Sequence, residues 1–509
     1  MPPGNVSAFA PAKSETAGGR REGRVKRRNR PLLAQPSAQI AVAVAACAVV
    51  GAVWQAVGKP LGGFVAFVLF FVPLCTVPFE LCLAFVVLSH FRIPEVFPAL
   101  YSFHMPELAA VSALAALVWH LWGTKRIRPY WSVELSLFAL FFAELTLGVA
   151  VATSRETAFA FWSSYFIKVA IITLAIAWLS AGPQQFARAA HAFVAAGLAV
   201  SGVTLWNKVN GIGLVEGTRV TIGRDIGSVL GDPNDLSLVL LFPVSFALGL
   251  AMTRRIPMLS RLFGAVSVVI LMLAILATQS RGGILGVLAV VAPFIQQKVK
   301  SLAVTATLGA VVAVGLYVGA GIGERTVLVG SQDGLDESAM GRVEAWQTAV
   351  NMALAHPITG VGMMTFVDNY FDYTDEWHGR AVAAHSVWFQ VLAEAGFIGF
   401  FTFVAMIGAT AGKLLRATRR LEAADGDAYA RATAMSLLAG IAGFVVSGTF
   451  LSQAYTWPIY ILLALSVSIS RYAFAGAEGG PATAVAPGTI MRDSAGHGNR
   501  PKDSEARDG

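Results

Sequence analysis

The sequence predicts an all-α, polytopic membrane protein, and three observations carry that prediction. Only 13% of the 509 residues are charged, whereas a soluble globular protein carries about 25%. The chain is 56% apolar with a mean hydropathy of +0.64. Runs of about 20 apolar residues recur, and each can cross a hydrocarbon core of roughly 30 Å as a helix. Because lipid offers the backbone no hydrogen bonds, and because these runs are too long and too uniformly apolar for barrel strands, the spans must be helices.

The apolar runs define the candidate spans in chain order. They are 39–57, 61–90, 104–122, 133–153, 161–180, 187–206, 233–252, 260–279, 282–297, 301–321, 386–412, 431–450 and 453–472. Pro73 and Pro78 interrupt the second run, which predicts two short or re-entrant helices there. The alternative is that one of the first three runs does not cross. We therefore expect about 12–14 transmembrane helices.

Charge sets the predicted orientation. The net charge of +8 does not indicate nucleic-acid binding, because the basic residues fall in short loops between apolar runs, which is typical of cytoplasmic loops. These residues are Lys125, Arg126, Arg128, Arg254, Arg255, Arg261, Lys298, Lys300, Lys413, Arg416, Arg419 and Arg420. Cys47, Cys75 and Cys82 lie in apolar stretches without metal or disulfide spacing, and we interpret them as small buried hydrophobes.

This orientation divides the chain into five parts. Residues 1–36 are polar and basic and predict a disordered cytoplasmic tail; residues 473–509 predict a second one. Transmembrane helices fill 37–321, with a periplasmic loop at 207–232, and 386–472. Between them, 322–385 forms a large periplasmic loop, long enough to be functional. Its helical pattern is expected to start near Gly341 and to end at His356-Pro357.

Four residues in or beside these external segments are candidates for chemistry. Arg281 precedes Gly282 and Gly283, which would let a ligand approach, although an arginine at a helix end can simply snorkel. Arg342 is expected to open the loop helix, where an anion would be favoured; alternatively it pairs with Glu344. His385 is the natural base at neutral pH or an interfacial anchor. Glu394 lies within an apolar helix, where a carboxylate is costly and so becomes a site candidate.

The first external loop adds weaker candidates. Asp232 and Asn234 stand in Asp-Pro-Asn-Asp, where either can cap the following helix. Arg219 and Arg224 would add positive charge to an external anion site, and with Asn234 and Glu394 they are the predicted substrate-binding residues. The sequence shows no nucleotide-binding loop and no acidic metal cluster, so we expect no cofactor and no metal. Arginines bind phosphate bidentately, which favours displacement of a phosphate-type leaving group with a histidine base.

Four segments resemble the O-antigen ligase family, whose Wzy_C-type domain is shared with some O-antigen polymerases. They are Gly-Asp-Pro-Asn at 231–234, Ser-Arg-Gly-Gly at 280–283, GRVEAWQTAVNMALAHPITGVGMMTF at 341–366 and AAHSVWFQVLAEAGFIG at 383–399. The order of Arg-x-x-x-Trp, His-Pro-x-x-Gly-x-Gly, Ala-His and a Gly-x-x-Gly helix is distinctive. Many relatives have His-Asn where this chain has His385-Ser386. In that respect the chain most resembles the exosortase-associated O-glycosylation ligases.

The resemblance implies a GT-C-like, metal-independent, inverting glycosyltransferase of the bacterial inner membrane. Its donor would be a glycan on undecaprenyl pyrophosphate at the periplasmic face. Its acceptor would be a lipid A-core sugar, a protein side chain or another glycan. By the same resemblance, Arg281 and Arg342 would hold the pyrophosphate and His385 would deprotonate the acceptor hydroxyl.

Two alternatives remain open. An O-antigen or exopolysaccharide polymerase of the same fold would use the same donor and differ only in its acceptor. A transporter or flippase of lipid-linked glycan could bind pyrophosphate with the same arginines. A transporter more often shows inverted repeats and charges at mid-membrane; we find no clear repeat, and the candidate charges cluster at one face.

Overall fold

The fold was examined in a computed structural model. It describes residues 77–299 except 126 and 128, residues 301, 303, 304, 307 and 310, and residues 333–475, with side chains in the last range described from Met340 onward. The predicted tail at 1–36, the span 39–57, most of the span 301–321, nearly all of the tail at 473–509, Cys47 and Cys75 lie outside the described residues.

Twelve main helices form the described part of the chain. They are α1 (Pro78–His90), α2 (Met105–Gly123), α3 (Val133–Val151), α4 (Arg155–Leu179), α5 (Pro183–Asn210), α6 (Pro233–Met252), α7 (Met258–Thr278), α8 (Arg281–Gln296), α9 (Asp333–Ala355), α10 (Val387–Ala423), α11 (Ala428–Gly448) and α12 (Trp457–Ala475). Shorter elements are helices Ile93–Val96 and Tyr370–Tyr373, 3-10 turns Pro98–Phe103, Arg224–Ile226 and Val229–Gly231, and an antiparallel hairpin of β1 (Leu214–Val215) and β2 (Arg219–Val220).

Within these ranges, nine helices are long and apolar enough to cross a membrane. They are α2 to α7 and α10 to α12, and α1 and α8 are shorter apolar helices. Every predicted span from residue 104 onward that falls in the described ranges coincides with one of them. Pro78 begins α1, as expected if the run 61–90 is broken at a proline. The prediction of an all-α polytopic membrane protein is confirmed.

Polar contacts join the helix ends that carry the basic loops. Lys413 of α10 pairs with Glu134 of α3 at 3.1 Å, and Arg255, which follows α6, pairs with Asp425, which follows α10. Arg471 of α12 lies over the Tyr130 ring, 5.1 Å from its centroid. These contacts gather loops 124–132, 253–257 and 424–427 at one end of the helix bundle, which we call the basic end.

The opposite helix ends meet in a second polar layer, the site end. Thr153, just after α3, donates its backbone N–H to the carbonyl of Val361 at 3.0 Å. Trp388 near the start of α10 donates its indole N–H to Thr449 at the end of α11, 3.0 Å away. Loop 207–232 and the segment 356–386 also lie at this end. Successive spanning helices therefore run antiparallel between the basic end and the site end.

The bundle interior combines aromatic packing with close backbone contacts. Phe91, Phe193, Phe242 and Phe246 are each at most 3% exposed, and ring centroids are 5.0 Å apart for Phe193 and Phe242. A Cβ added to Gly264 of α7 would lie 2.7 Å from the carbonyl oxygen of Ala247 in α6. In lipid, packing at this range replaces the hydrophobic effect as the main attraction between helices.

The His-Pro-x-x-Gly-x-Gly segment packs against a break in α10. Gly396 has a φ of 67° and a ψ of −170° within the helix, and its freed neighbour Phe397 donates its N–H to Pro357 at 2.9 Å. Gly360 (φ 64°) lies so close that an added Cβ would be 2.4 Å from the carbonyl carbon of Glu394. Both glycines are therefore required where the loop crosses the broken helix.

One predicted boundary is wrong. The helix expected to start near Gly341 begins at Asp333 and continues to Ala355. Arg342 therefore lies inside α9 and not at a helix N-terminus, so the free N–H groups expected beside it are absent at that position. The pattern misled because a single glycine is tolerated inside a helix at a cost of about 1 kcal/mol. The predicted end at His356-Pro357 is confirmed.

Candidate functional site

Three of the helices that begin at the site end, α6, α8 and α10, are preceded by a residue of a sequence motif. Asp232 caps α6: its Oδ1 accepts the N–H groups of Asn234 at 2.7 Å and Asp235 at 3.2 Å. Ser280 caps α8 by accepting the N–H of Gly283 at 3.1 Å. Ser386 precedes α10 in extended conformation. The capping interpretation of Asp232 is confirmed, and it places a carboxylate at the entrance to the site.

Asn234 joins the first external loop to two helix starts. Its Oδ1 accepts a hydrogen bond from Arg219 Nη2 at 2.7 Å and another from Ser280 Oγ at 2.9 Å. Arg219 is 7% exposed, donates from Nε to the Thr278 carbonyl at 3.2 Å, and lies 3.6 Å from Glu216. The polar groups of Arg219 and Asn234 are therefore engaged with the protein, and their predicted role in substrate binding remains a prediction.

Arg224 differs from Arg219 although both lie in the same loop. It is exposed, and Nη1 donates to the Gly231 carbonyl at 3.3 Å. A Cβ added to Gly231 would lie 2.8 Å from the Cα of Arg224, which explains the glycine before Asp232. Of the two loop arginines, Arg224 is the one whose guanidinium faces solvent.

Arg281 and Arg342 come together although 61 positions separate them in the chain. Arg281 is the first residue of α8 and is exposed; Arg342, on α9, is half-buried. Burial, followed by the positive charge of Arg281, lowers the pKa of Arg342, whereas the Asp232 carboxylate raises it. Because arginine stays protonated in proteins, the two guanidiniums repel each other. An anion between them would relieve that repulsion.

His385 completes the same charged group. It is exposed and adopts a φ of 45°, which is uncommon for a residue with a side chain. Desolvation, followed by the charge of Arg342, lowers the pKa of His385, and the Asp232 carboxylate opposes that shift. The imidazole is therefore neutral at neutral pH and able to accept a proton.

Buried neighbours fix the His385 turn. Ala384 and Ser386 are 1% and 0% exposed. The Ala384 carbonyl accepts the indole N–H of Trp346 at 3.1 Å, and the Trp346 ring stacks on Phe389 with centroids 5.0 Å apart. The exposed imidazole thus projects from a turn whose flanking residues are packed.

Glu394 is buried in α10, two residues before the break at Gly396. It is 2% exposed, its Oε1 accepts the N–H of Phe366 at 3.1 Å, and its Oε2 lies 3.5 Å from Gln390 Nε2. These bonds hold the segment after His356 against the broken α10. The expectation that Glu394 binds substrate is untested, and its observed partners are protein groups.

One group of side chains in the described ranges could bind a metal ion. A carboxylate oxygen of Glu344, one of Glu376 and a ring nitrogen of His378 lie within 4.8 Å of one another. Glu376 and His378 are exposed, and His378 lies 3.3 Å from Glu344, as in a surface ion pair. The sequence prediction of no acidic metal cluster therefore meets one candidate, formed by Glu344 of α9 and two residues of the segment 356–386.

The sequence reasoning missed two contributors. Asp232 was interpreted only as a cap, yet it interacts with both Arg342 and His385. Trp346 was noted only as part of a motif. A signal existed for Trp346, because residues four apart share a helix face, so Arg342 and Trp346 had to point to the same side.

The fold and the site together define a polytopic membrane protein with an electropositive site at one end of its helix bundle. Residues 266–404 match the family model Wzy_C, described as O-Antigen ligase. This match confirms the predicted resemblance to a Wzy_C-type domain over these residues. It supports an O-antigen ligase- or polymerase-type membrane enzyme. The matched range contains Arg281, Arg342 and His385. No curated protein matches the chain.

Proposed function

We propose that this protein transfers a glycan from undecaprenyl pyrophosphate to an acceptor hydroxyl at the outer face of the bacterial inner membrane. The observation that carries the proposal is the accessible, electrostatically coupled group of Arg281, Arg342 and His385. Two guanidiniums that repel each other without a ligand form an anion site, and a neutral imidazole beside them supplies a base.

The arginines act on the leaving group. Guanidinium groups bind phosphate oxygens bidentately, and negative charge grows on the pyrophosphate as its bond to the sugar breaks. Donors already aimed at that charge stabilise the transition state more than the ground state. Arg281 lies at the N-terminus of α8, whose dipole adds to the attraction for an anion.

His385 acts on the acceptor. Its imidazole takes the proton of the hydroxyl as the oxygen forms a bond to the anomeric carbon of the donor sugar. The bond between that carbon and the pyrophosphate oxygen breaks, and undecaprenyl pyrophosphate leaves with the electron pair. Attack opposite the leaving group inverts the anomeric configuration. Nothing in this step requires a metal or another cofactor.

The outer location is supported by the distribution of charge along the helices. The basic loops meet at the basic end, and positively charged short loops are typical of the cytoplasmic side. A lipid-linked glycan would then reach the site end from the outer leaflet. A test is to label Gln347→Cys and Arg419→Cys, both exposed positions, in a background without Cys47, Cys75 and Cys82. An impermeant thiol reagent should modify only the first in intact spheroplasts.

The acceptor separates the remaining alternatives. A lipid A-core sugar or a protein side chain would make the enzyme a ligase, and the Ala384-His385-Ser386 sequence is the feature that favours an exosortase-associated O-glycosylation ligase. A growing glycan would make it a polymerase. A transporter would bind the donor at the arginines but would not consume it.

The proposal is tested with the purified full-length protein in lipid nanodiscs and a synthetic undecaprenyl-pyrophosphate oligosaccharide. Release of undecaprenyl pyrophosphate that depends on an added acceptor is expected, and the product identifies the acceptor. Deletion of the gene, followed by analysis of surface glycans, separates the enzymes: free polymer without attachment indicates a ligase, and single repeats indicate a polymerase. Donor binding without any release would contradict the proposal.

A further inference from the structure

We infer that Trp346 is a positioning residue that holds the His385 imidazole at a fixed distance from the Arg342 guanidinium. This inference rests on the proposed function, because it concerns the geometry of the proposed base relative to the leaving-group site. Two contacts of the Trp346 indole and the packing of α9 carry it.

The first contact is the hydrogen bond from the Trp346 indole to the Ala384 carbonyl, 3.1 Å long. That carbonyl belongs to the peptide bond that leads into His385, whose φ of 45° costs free energy and persists only where surrounding contacts determine it. An indole N–H on the peptide oxygen restrains the rotation of this peptide. The direction of the His385 side chain is therefore restrained as well.

The second contact is the stack of Trp346 on Phe389, with ring planes 11° apart. Phe389 lies on the first turn of α10, one turn beyond His385. The indole thus contacts the chain on both sides of His385: it donates a hydrogen bond to Ala384 and stacks on Phe389.

The third feature lies on α9. Arg342 and Trp346 are four residues apart and occupy one helix face. Ala345 and Ala349 are 0% exposed, and their small side chains let α9 approach the His385 turn and α10 closely. The C-terminal part of α9 is held by other contacts, because Asn351 Nδ2 donates to the Tyr373 carbonyl at 3.0 Å and to Asp375 at 3.1 Å. The Trp346 contacts therefore set the distance between the base and the arginine, and the Asn351 contacts anchor the rest of the helix.

The test removes the N–H donor and keeps the stacked ring. Trp346→Phe should lower kcat about 10–100-fold, since misplacement of a catalytic group by about 1 Å can cost 10²-fold. The KM for the lipid-linked donor should change by less than about 3-fold, because the stack on Phe389 keeps Arg342 near its place. The acid limb of the pH–rate profile should move to higher pH. A looser turn weakens the effect of the Arg342 charge, which lowers the pKa of His385.

A matched control exists within the chain. Trp178 donates its indole N–H to a backbone carbonyl, that of Tyr130, at 2.8 Å, but it lies at the basic end. Trp178→Phe should leave kcat and the pH profile unchanged. If Trp346→Phe does not accumulate in the membrane, benzothienylalanine at position 346 replaces the N–H by sulfur within a ring of the same shape.

The outcomes separate this inference from the proposed function. A wild-type kcat in Trp346→Phe, or a loss that Trp178→Phe shares, overturns the positioning role. His385→Ala is measured in the same series. If it is inactive while Trp346→Phe is fully active, only the inference fails; if it turns over normally, the proposed function fails and the inference with it.

Discussion

The motif residues at the site end divide into an accessible charged group and a group that is hydrogen-bonded to the protein. Arg281 and His385 are exposed and Arg342 is half-buried, and the three are linked to one another by charge. Arg219 and Glu394 are buried and Asn234 is half-buried, and each is hydrogen-bonded to protein partners. All six were predicted as site residues from residue type and neighbourhood.

The difference shows that a polar residue in a motif can serve the site without touching the substrate. Asn234 and Arg219 tie the first external loop to the starts of α6 and α8, so they fix where Arg281 stands. Glu394 fastens the segment after His356 to α10. Polar groups that are hydrogen-bonded to the protein rigidify a site, while the exposed charges remain available for ligand.

The accessible group should be sensitive to geometry as well as to charge. Arg281→Lys and Arg342→Lys keep the positive charge and lose the planar fork. Each is expected to lower kcat/KM for the lipid-linked donor at least about 10-fold, toward the roughly 10²–10³-fold cost of losing one preorganised donor. Protein yield and Tm should stay at the wild-type level. Wild-type activity in both variants would mean that neither planar guanidinium takes part in binding the donor.

The hydrogen-bonded group should show the opposite pattern. Asn234→Ala leaves the Arg219 guanidinium with one partner fewer in a buried position, which costs about 1–3 kcal/mol. The expected result is a lower Tm, with donor affinity in the folded fraction within a few-fold of wild type. Arg281→Ala is the matched comparison, since it should lose donor affinity at unchanged Tm. If Asn234→Ala and Arg281→Ala lowered Tm and donor affinity equally, the two groups would not differ in role.

Hydropathy predicted the spanning helices because their length and apolarity are local properties. The break at Gly396 could not be read in the same way, since it accompanies a contact with the carbonyl of Pro357, 39 positions earlier. The start of α9 was placed eight residues too late because Gly341 looked like a boundary. Residue type identified His385 and the two arginines, but the burial of Arg219 and Glu394 depends on which helices meet and is invisible in one sequence.

The pH dependence of turnover should follow the charges around His385. Its pKa is lowered below the usual value of 6.5, and the base acts when neutral. Turnover should therefore be full above that pKa and fall as the pH drops through it. Asp232→Asn keeps a good cap and removes the charge that raises this pKa, so the acid limb should move to lower pH. A limb that stays in place, or moves upward, would contradict the proximity of Asp232 to His385.

The smallest expected effect concerns metal. Turnover should persist in EDTA, because the proposed step places all developing charge on the arginines. Glu376→Gln provides the comparison, since it disrupts the group of Glu344, Glu376 and His378 and should leave turnover unchanged. Loss of turnover in EDTA that Mg²⁺ or Mn²⁺ restores, together with loss in Glu376→Gln, would assign a catalytic metal to this group.

The most direct test of the account measures donor binding and turnover on the same purified His385→Ala protein. A positioned base contributes roughly 10²–10⁴-fold to a rate, so turnover should fall by that factor. The Kd of the lipid-pyrophosphate donor should stay near the wild-type value, because Arg281 and Arg342 remain. Turnover of His385→Ala at the wild-type rate would contradict the assignment of His385 as the base.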